Sequence, residues 1–276
     1  MNKTIAALAL LVVTTSAFAQ VTVYSNNVGG DAFTDSGTVN PGASQLIGSY
    51  TGPNTEVWAY NEVKHNAVVG IDTVNPRSGN GSAHIQTLGG ANTNGKASIS
   101  FGRLNGGSLG GFDTLTNWSA DVFTQSSDFA GQAMVLRLFV SNGTDSGFLV
   151  FDTTWQPGNN PNLAFGQWNN VDFTSNPNSF WVRGTGSLAS AGNLNTGSEV
   201  TFASAQSLLA GKGFQVFGAN AGFGTSSGAF DGFVDNYTIG FNGQSTTYNF
   251  EAVPEPMTMG ILAAGAALVA RRRKKK

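Results

Sequence analysis

Phe233-Val234-Asp235-Asn236-Tyr237-Thr238-Ile239 reads as an alternation of apolar and polar residues, with Phe233, Tyr237 and Ile239 on one face and Asn236 and Thr238 on the other. That period of two is the mark of a strand with one buried face. The same signal recurs upstream. Trp118-Ser119-Ala120-Asp121-Val122-Phe123 reads as a half-buried strand. Over residues 134–140, Met134, Leu136, Leu138 and Val140 share one face, and Val135, Arg137 and Phe139 the other. A strand over 147–152 follows the connection Ser141-Asn142-Gly143-Thr144-Asp145, whose Asn-Gly suits a hairpin. Weaker strands are expected over 21–24, 56–59, 83–88, 97–101, 167–173, 180–182, 200–202, 214–217 and 246–250. Only 203–210 reads as helix, about two turns long. No repeat of fixed period appears, which argues against a β-helix or propeller. Many short strands separated by turns predict an all-β fold, an antiparallel β-sandwich of the jelly-roll kind.

Composition agrees. Of 276 residues 37 are Gly, and only 11% are charged, against about 25% in typical domains. Residues 29–55, rich in Gly, Ser, Thr, Asn and Pro, read as an irregular flank. The formal net charge of −2 conceals an asymmetry, because six of the 14 Lys and Arg fall in residues 271–276. Residues 20–253 hold 15 Asp and Glu against seven Lys and Arg, a net charge near −8. A domain that acidic repels polyanions, which argues against nucleic acid as a partner. With no cysteine, disulfides, a thiol nucleophile and thiolate metal sites are excluded.

Both ends read as processing segments. Met1-Asn2-Lys3, an apolar run over 5–13 and Ala17-Phe18-Ala19 form a signal peptide, residues 1–19, with cleavage by signal peptidase expected after Ala19. At the other end stand Pro254-Glu255-Pro256, an apolar stretch over 257–270 and Arg271-Arg272-Arg273-Lys274-Lys275-Lys276. The prolines hold the backbone extended and delay any helix. The apolar stretch has 14 residues, short of the roughly 20 that span a bilayer, and it is diluted by Gly and Ala. The six cations keep the tip on the cytoplasmic side. A short, weak transmembrane helix of this kind suits transient anchoring in the inner membrane.

This order of parts resembles the PEP-CTERM sorting signal, with Pro254, Glu255 and Pro256 as the motif and Arg271, Arg272 and Arg273 opening the basic end. The resemblance covers residues 253–276. It implies recognition by an exosortase-like membrane protease, removal of the tail near the motif, and delivery to the cell surface or extracellular matrix of a Gram-negative-type bacterium. The alternative is a C-terminal membrane anchor that is never cut.

The stretch 228–239, Gly-Ala-Phe-Asp-Gly-Phe-Val-Asp-Asn-Tyr-Thr-Ile, resembles the closing strand of carbohydrate-binding-type jelly rolls. The resemblance implies a role for Asp235 in a structural calcium site. One carboxylate cannot supply the six to eight oxygens that calcium takes, so Asp235 reads equally well as satisfying loop backbone.

No catalytic constellation stands out. There is no Gly-x-Ser-x-Gly elbow, P-loop or His-Glu-x-x-His, and no Glu-x-Asp-x-x-Glu strand of the glucanase kind. His65 and His84, 19 residues apart, lack the spacing of paired ligands. Asp121 and Asp152 could face each other across strands as a carboxylate pair. Of the five tryptophans, Trp118 falls on a core face, and Trp155, in Thr154-Trp155-Gln156-Pro157-Gly158, is the candidate for stacking on a sugar. Three functions remain: a non-catalytic structural or adhesive surface protein without a cofactor, a carbohydrate-binding module for extracellular polysaccharide, or a glycan-active enzyme.

Overall fold

A computed structural model describes residues 18–25, 28–30, 58–65, 67–89, 95–102, 107–152, 163–175, 179–184, 186–189, 200–224 and 228–253. The strands are β1 (Phe18–Tyr24), β2 (Gly29–Gly30), β3 (Trp58–Lys64), β4 (Val68–Asp72), β5 (Ser82–Thr87), β6 (Lys96–Gly102), β7 (Gly110–Gly111), β8 (Leu115–Ser127), β9 (Val135–Ser141), β10 (Ser146–Phe151), β11 (Trp168–Asp172), β12 (Ser179–Gly184), β13 (Val200–Thr201), β14 (Gln215–Phe223), β15 (Phe230–Phe241) and β16 (Gln244–Glu251). Two α-helices, α1 (Gly186–Ala189) and α2 (Phe202–Leu209), and a short 3-10 helix over Phe112–Thr114 complete the set among the described residues. The Thr201 hydroxyl caps α2 by accepting from the Ser204 amide at 3.3 Å.

Two sheets form a sandwich. One has seven strands, with β15 at its centre, β8 and β11 on one side, and β5–β4 and β16–β1 on the other. The second runs β13-β12-β10-β9-β14-β6-β3-β2, with β7 beside β14. Pairing is antiparallel except for β1 with β16 and β2 with β3. The all-β sandwich and its one eight-residue helix agree with the sequence reading. Strand β4 escapes that reading, because its run Val-Val-Gly-Ile-Asp is short and carries a glycine.

The inner faces build one core. Trp58 of β3 touches the rings of Tyr237, Tyr248 and Phe250 from the opposite sheet, with centroids 4.9–5.6 Å apart. Phe223 of β14 stacks on Phe230 of β15 at 4.1 Å. Burying each such ring contributes about 1.5–3 kcal/mol. In β9, Leu136, Leu138 and Val140 face this core as their alternation requires, and Phe139 faces outward. The β9–β10 turn places Gly143 at φ +87°, where a glycine is at ease.

The alternation of β15 is broken at its middle. Asn236 takes φ +49° and the register with β8 shifts between Asp235 and Thr238, a bulge at which the strand changes partner. Phe230–Val234 pair with β5, and Tyr237–Phe241 pair with β16. Strands β16 and β5 therefore lie end to end along one side of β15. Beyond them β1 and β4 form the margin of the sheet among the described residues.

The expected Asp121–Asp152 pair does not form across neighbouring strands. Asp121 lies on β8 in the seven-stranded sheet, whereas Asp152 follows β10 in the other, so no ladder joins them. Among the described residues no helix is long and apolar enough to cross a membrane. The expected transmembrane segment over 257–270 lies outside them.

Candidate functional site

The outer face of the seven-stranded sheet carries two devices. The first fills the fork where β16 ends and β5 begins. A strand that changes partner leaves amides without ladder acceptors. Asp235, fully buried, supplies them: its carboxylate accepts from the Phe250 amide at 2.9 Å and the Ser78 amide at 3.1 Å. Two further carboxylates hold the same 73–81 loop. Glu251 accepts from the Asn80 amide at 2.6 Å, and Asp121 accepts from Arg77 Nε at 3.0 Å. Asp121 is held in turn by Asn236 Nδ2 at 2.9 Å and Asn170 Nδ2 at 2.8 Å. Close approach explains the two glycines of this loop. A Cβ at Gly79 would overlap the Glu251 carboxylate, and one at Gly81 would stand 2.4 Å from the Ala252 nitrogen.

Burial pushes the Asp235 carboxyl up to about 7, against the lowering pull of the Phe250, Asn236 and Ser78 amides, and the nearby Glu251 charge adds to the rise. Beside Glu251, whose Oε1 accepts from Asn249 Nδ2 at 2.8 Å, the Asn249 Oδ1 is buried without a hydrogen-bond partner. Two buried carboxylates and an orphaned amide oxygen are hard oxygen donors of the kind a calcium ion takes, though fewer than its six to eight. Among the described residues no group of three or more His, Asp and Glu is arranged to hold a metal.

The second device is a row of rings in register across four strands: Trp168, Phe123, Phe233 and His84. Neighbouring centroids are 5.6, 5.8 and 4.1 Å apart, and His84 lies nearly parallel to Phe233 at 19°. Phe123 and Phe233 are buried, so the row is closed along its middle. His84 sits between two carboxylates, Nδ1 2.6 Å from Asp72 Oδ2 and Nε2 2.8 Å from Asp231 Oδ1. Half-burial lowers its pKa, but the hydrogen bonds and charges of Asp72 and Asp231 outweigh that and hold it above the usual value. For Asp72, burial acts upward, and the His84 bond and the Val74 amide prevail and hold it below the usual carboxylate range.

The outer face of the nine-stranded sheet carries a different pattern. Val150, Arg137, Asn220 and Ser100 stand in one register line across β10, β9, β14 and β6. Arg137 Nη1 donates to Asn220 Oδ1 at 2.6 Å, and Asn220 Nδ2 donates to Ser100 Oγ at 2.7 Å. Beside this polar ladder, Phe139 packs with Phe148 and Phe217, each pair of centroids 5.9 Å apart.

No protein-family profile matches the chain, and no curated protein matches it. Solved structures do. One is a Family 11 Carbohydrate-Binding Module from Clostridium thermocellum in complex with a β-1,3-1,4-mixed-linked tetrasaccharide: 12% identity, 74% of this chain and 94% of that one covered, TM-score 0.34. Another is Cellulose induced protein, Cip1: 14% identity, coverage of 66% and 90%, TM-score 0.35. A third comes from work on the promiscuous specificity of carbohydrate-binding modules of the β-sandwich superfamily, at 11% identity, coverage of 68% and 58%, TM-score 0.28. Likeness at this distance assigns no ligand to the present chain.

Of the residues singled out from sequence, Asp235 lies in the fork, serving loop and strand amides. Trp118 is fully buried in the core. Trp155, the motif Pro254, Glu255 and Pro256, and Arg271, Arg272 and Arg273 lie outside the described residues. The Asp72–His84–Asp231 bridge and the Arg137–Asn220–Ser100 ladder escape the sequence reading. Their members are 12 to 147 residues apart, and no local spacing announces them.

Proposed function

We propose that this chain is an exported, non-catalytic protein of the cell surface or extracellular matrix. A signal peptidase removes residues 1–19, which takes Phe18 and Ala19 from the start of β1 and leaves Gln20–Tyr24 paired with β16, and an exosortase-like protease acts on the C-terminal signal. The observation that carries this reading is the junction between domain and tail. Strand β16 lies between β1 and β15, and Glu251 and Ala252, three and two residues short of Pro254, are still buried. A cut at or beyond the motif therefore leaves every described strand of the sandwich whole. The fork carboxylates are engaged with backbone amides, amide side chains and the Arg77 guanidinium, a structural duty that supports a non-catalytic role. The C-terminal mass of the protein recovered from the extracellular fraction, with and without the sorting protease, tests the proposal. Protease-dependent loss of residues beyond about Pro256 is expected, and an intact Lys276 on membrane-bound protein would refute it.

A second reading, polysaccharide binding, draws on the Arg137–Asn220–Ser100 ladder beside three phenylalanines. Hydrogen-bonding side chains next to aromatic rings suit a sugar's hydroxyls and apolar faces. Retardation of the protein in gels cast with soluble glucans tests it. If a structural calcium is present, Asp235, Glu251 and Asn249 Oδ1 would hold it, where it would neutralise the buried carboxylates.

A further inference from the structure

Five of the nine large apolar side chains exposed among the described residues gather along one margin: Val21 and Tyr24 on β1, Val68 on β4, Val74 just after β4, and Val253 between the two strands. Strand β16 ends at the notch between β1 and β4, and the Val253 amide is tied to Ser25 Oγ at 3.1 Å. The last described residue, Val253, thus stands at this margin, with the three motif residues between it and Met257.

We propose that this margin is a membrane-resting surface, its partner the interfacial layer of a lipid bilayer. The inference rests on the reading that residues 257–270 enter the membrane. Val253 and Met257 are separated by four residue steps, a reach of about 14 Å when extended. The apolar stretch of 14 residues is about 21 Å long as a helix, against a hydrocarbon core of about 30 Å. A span that short draws its flanks into the interface. On the domain side the flank is three residues and then the margin itself. Tyr24 and the valines meet the chemistry of that layer, where amphipathic rings and aliphatic side chains settle.

The chain has no cysteine, so single-cysteine reporters can be placed at will. Full-length Tyr24→Cys, Val68→Cys and Thr144→Cys proteins, the last in the β9–β10 turn of the other sheet, would carry an environment-sensitive fluorophore in phosphatidylcholine vesicles containing a lipid-borne quencher. Quenching at 24 and 68 several-fold above that at 144 is expected. Equal quenching at all three positions in protein that floats with the vesicles overturns the proposal and leaves the tail reading intact. Failure to float overturns both. Disulfide-linked dimers of unlabelled Tyr24→Cys protein, formed equally with and without lipid, would overturn it in favour of a second copy of the chain on this margin.

Discussion

The indole nitrogen of Trp118 donates to the phenol oxygen of Tyr237 at 2.8 Å, and that phenol donates onward to the Arg137 carbonyl at 3.3 Å. Trp118 and Tyr237 belong to the seven-stranded sheet and Arg137 to the other, so one hydroxyl ties the sandwich through its middle. Both rings are fully buried. Burial drives the Tyr237 pKa upward, so the phenol keeps the proton it donates.

Tyr237→Phe removes the hydroxyl and nothing else. It takes a hydrogen-bond acceptor from a buried indole N–H and a donor from a carbonyl of the opposite sheet. A loss of about 1–3 kcal/mol is expected, read as a lower urea midpoint at unchanged slope.

The His84 bridge predicts a pH dependence of definite sign. Its folded pKa is raised, so the folded state holds the proton more tightly than the unfolded chain. The stabilisation is complete below the ordinary value of 6.5 and is lost as pH rises through the raised one. An NMR titration of the His84 ring should give a midpoint above 6.5, and His84→Gln should flatten the stability profile across that window.

Asp235 acts in a lower window. A carboxyl raised from 3.8 to about 7 favours the protonated fold, so its contribution is greatest below pH 3.8 and is lost as pH rises toward 7. Asp235→Asn should lessen the fall in stability between those limits, even though its amide group leaves one loop or strand N–H poorly paired. If calcium neutralises the fork, millimolar calcium at pH 7.5 should raise the melting temperature of the native protein by several degrees and that of Asp235→Asn far less.

Strands 118–123 and 134–140 are legible in the sequence because one face of each is apolar and the other more polar, which fixes the period. Strand 233–239 is legible as a strand but not as a fork. The polar doublet Asp235-Asn236 interrupts the alternation, but nothing in the hydrophobic pattern says that Asn236 takes positive φ or that β5 there gives way to β16. Asp235 stands out only by resemblance, and its work depends on Ser78, 157 residues away. His84 reads as a solvated or hydrogen-bonded strand residue and is hydrogen-bonded, but its partners Asp72 and Asp231 are not legible because they reach it only through strand pairing. Local periodicity can specify elements, whereas polar sites joined across a sheet depend on register.

The ladder on the nine-stranded sheet separates architecture from binding. Asn220 is 2% exposed and commits its oxygen to Arg137 and its nitrogen to Ser100. Asn220→Ala takes one partner from each neighbour and should cost about 1–3 kcal/mol. Ser100→Ala removes only the outer link, with a smaller loss of about 1 kcal/mol. If the face holds polysaccharide, Arg137→Lys should weaken glucan retardation more than Ser100→Ala does, because an ammonium cannot reproduce the planar guanidinium fork. Retardation that is equal in both variants and the native protein, with folding intact by near-ultraviolet circular dichroism, would remove this face from the polysaccharide reading and leave the ladder as a strut of the sheet.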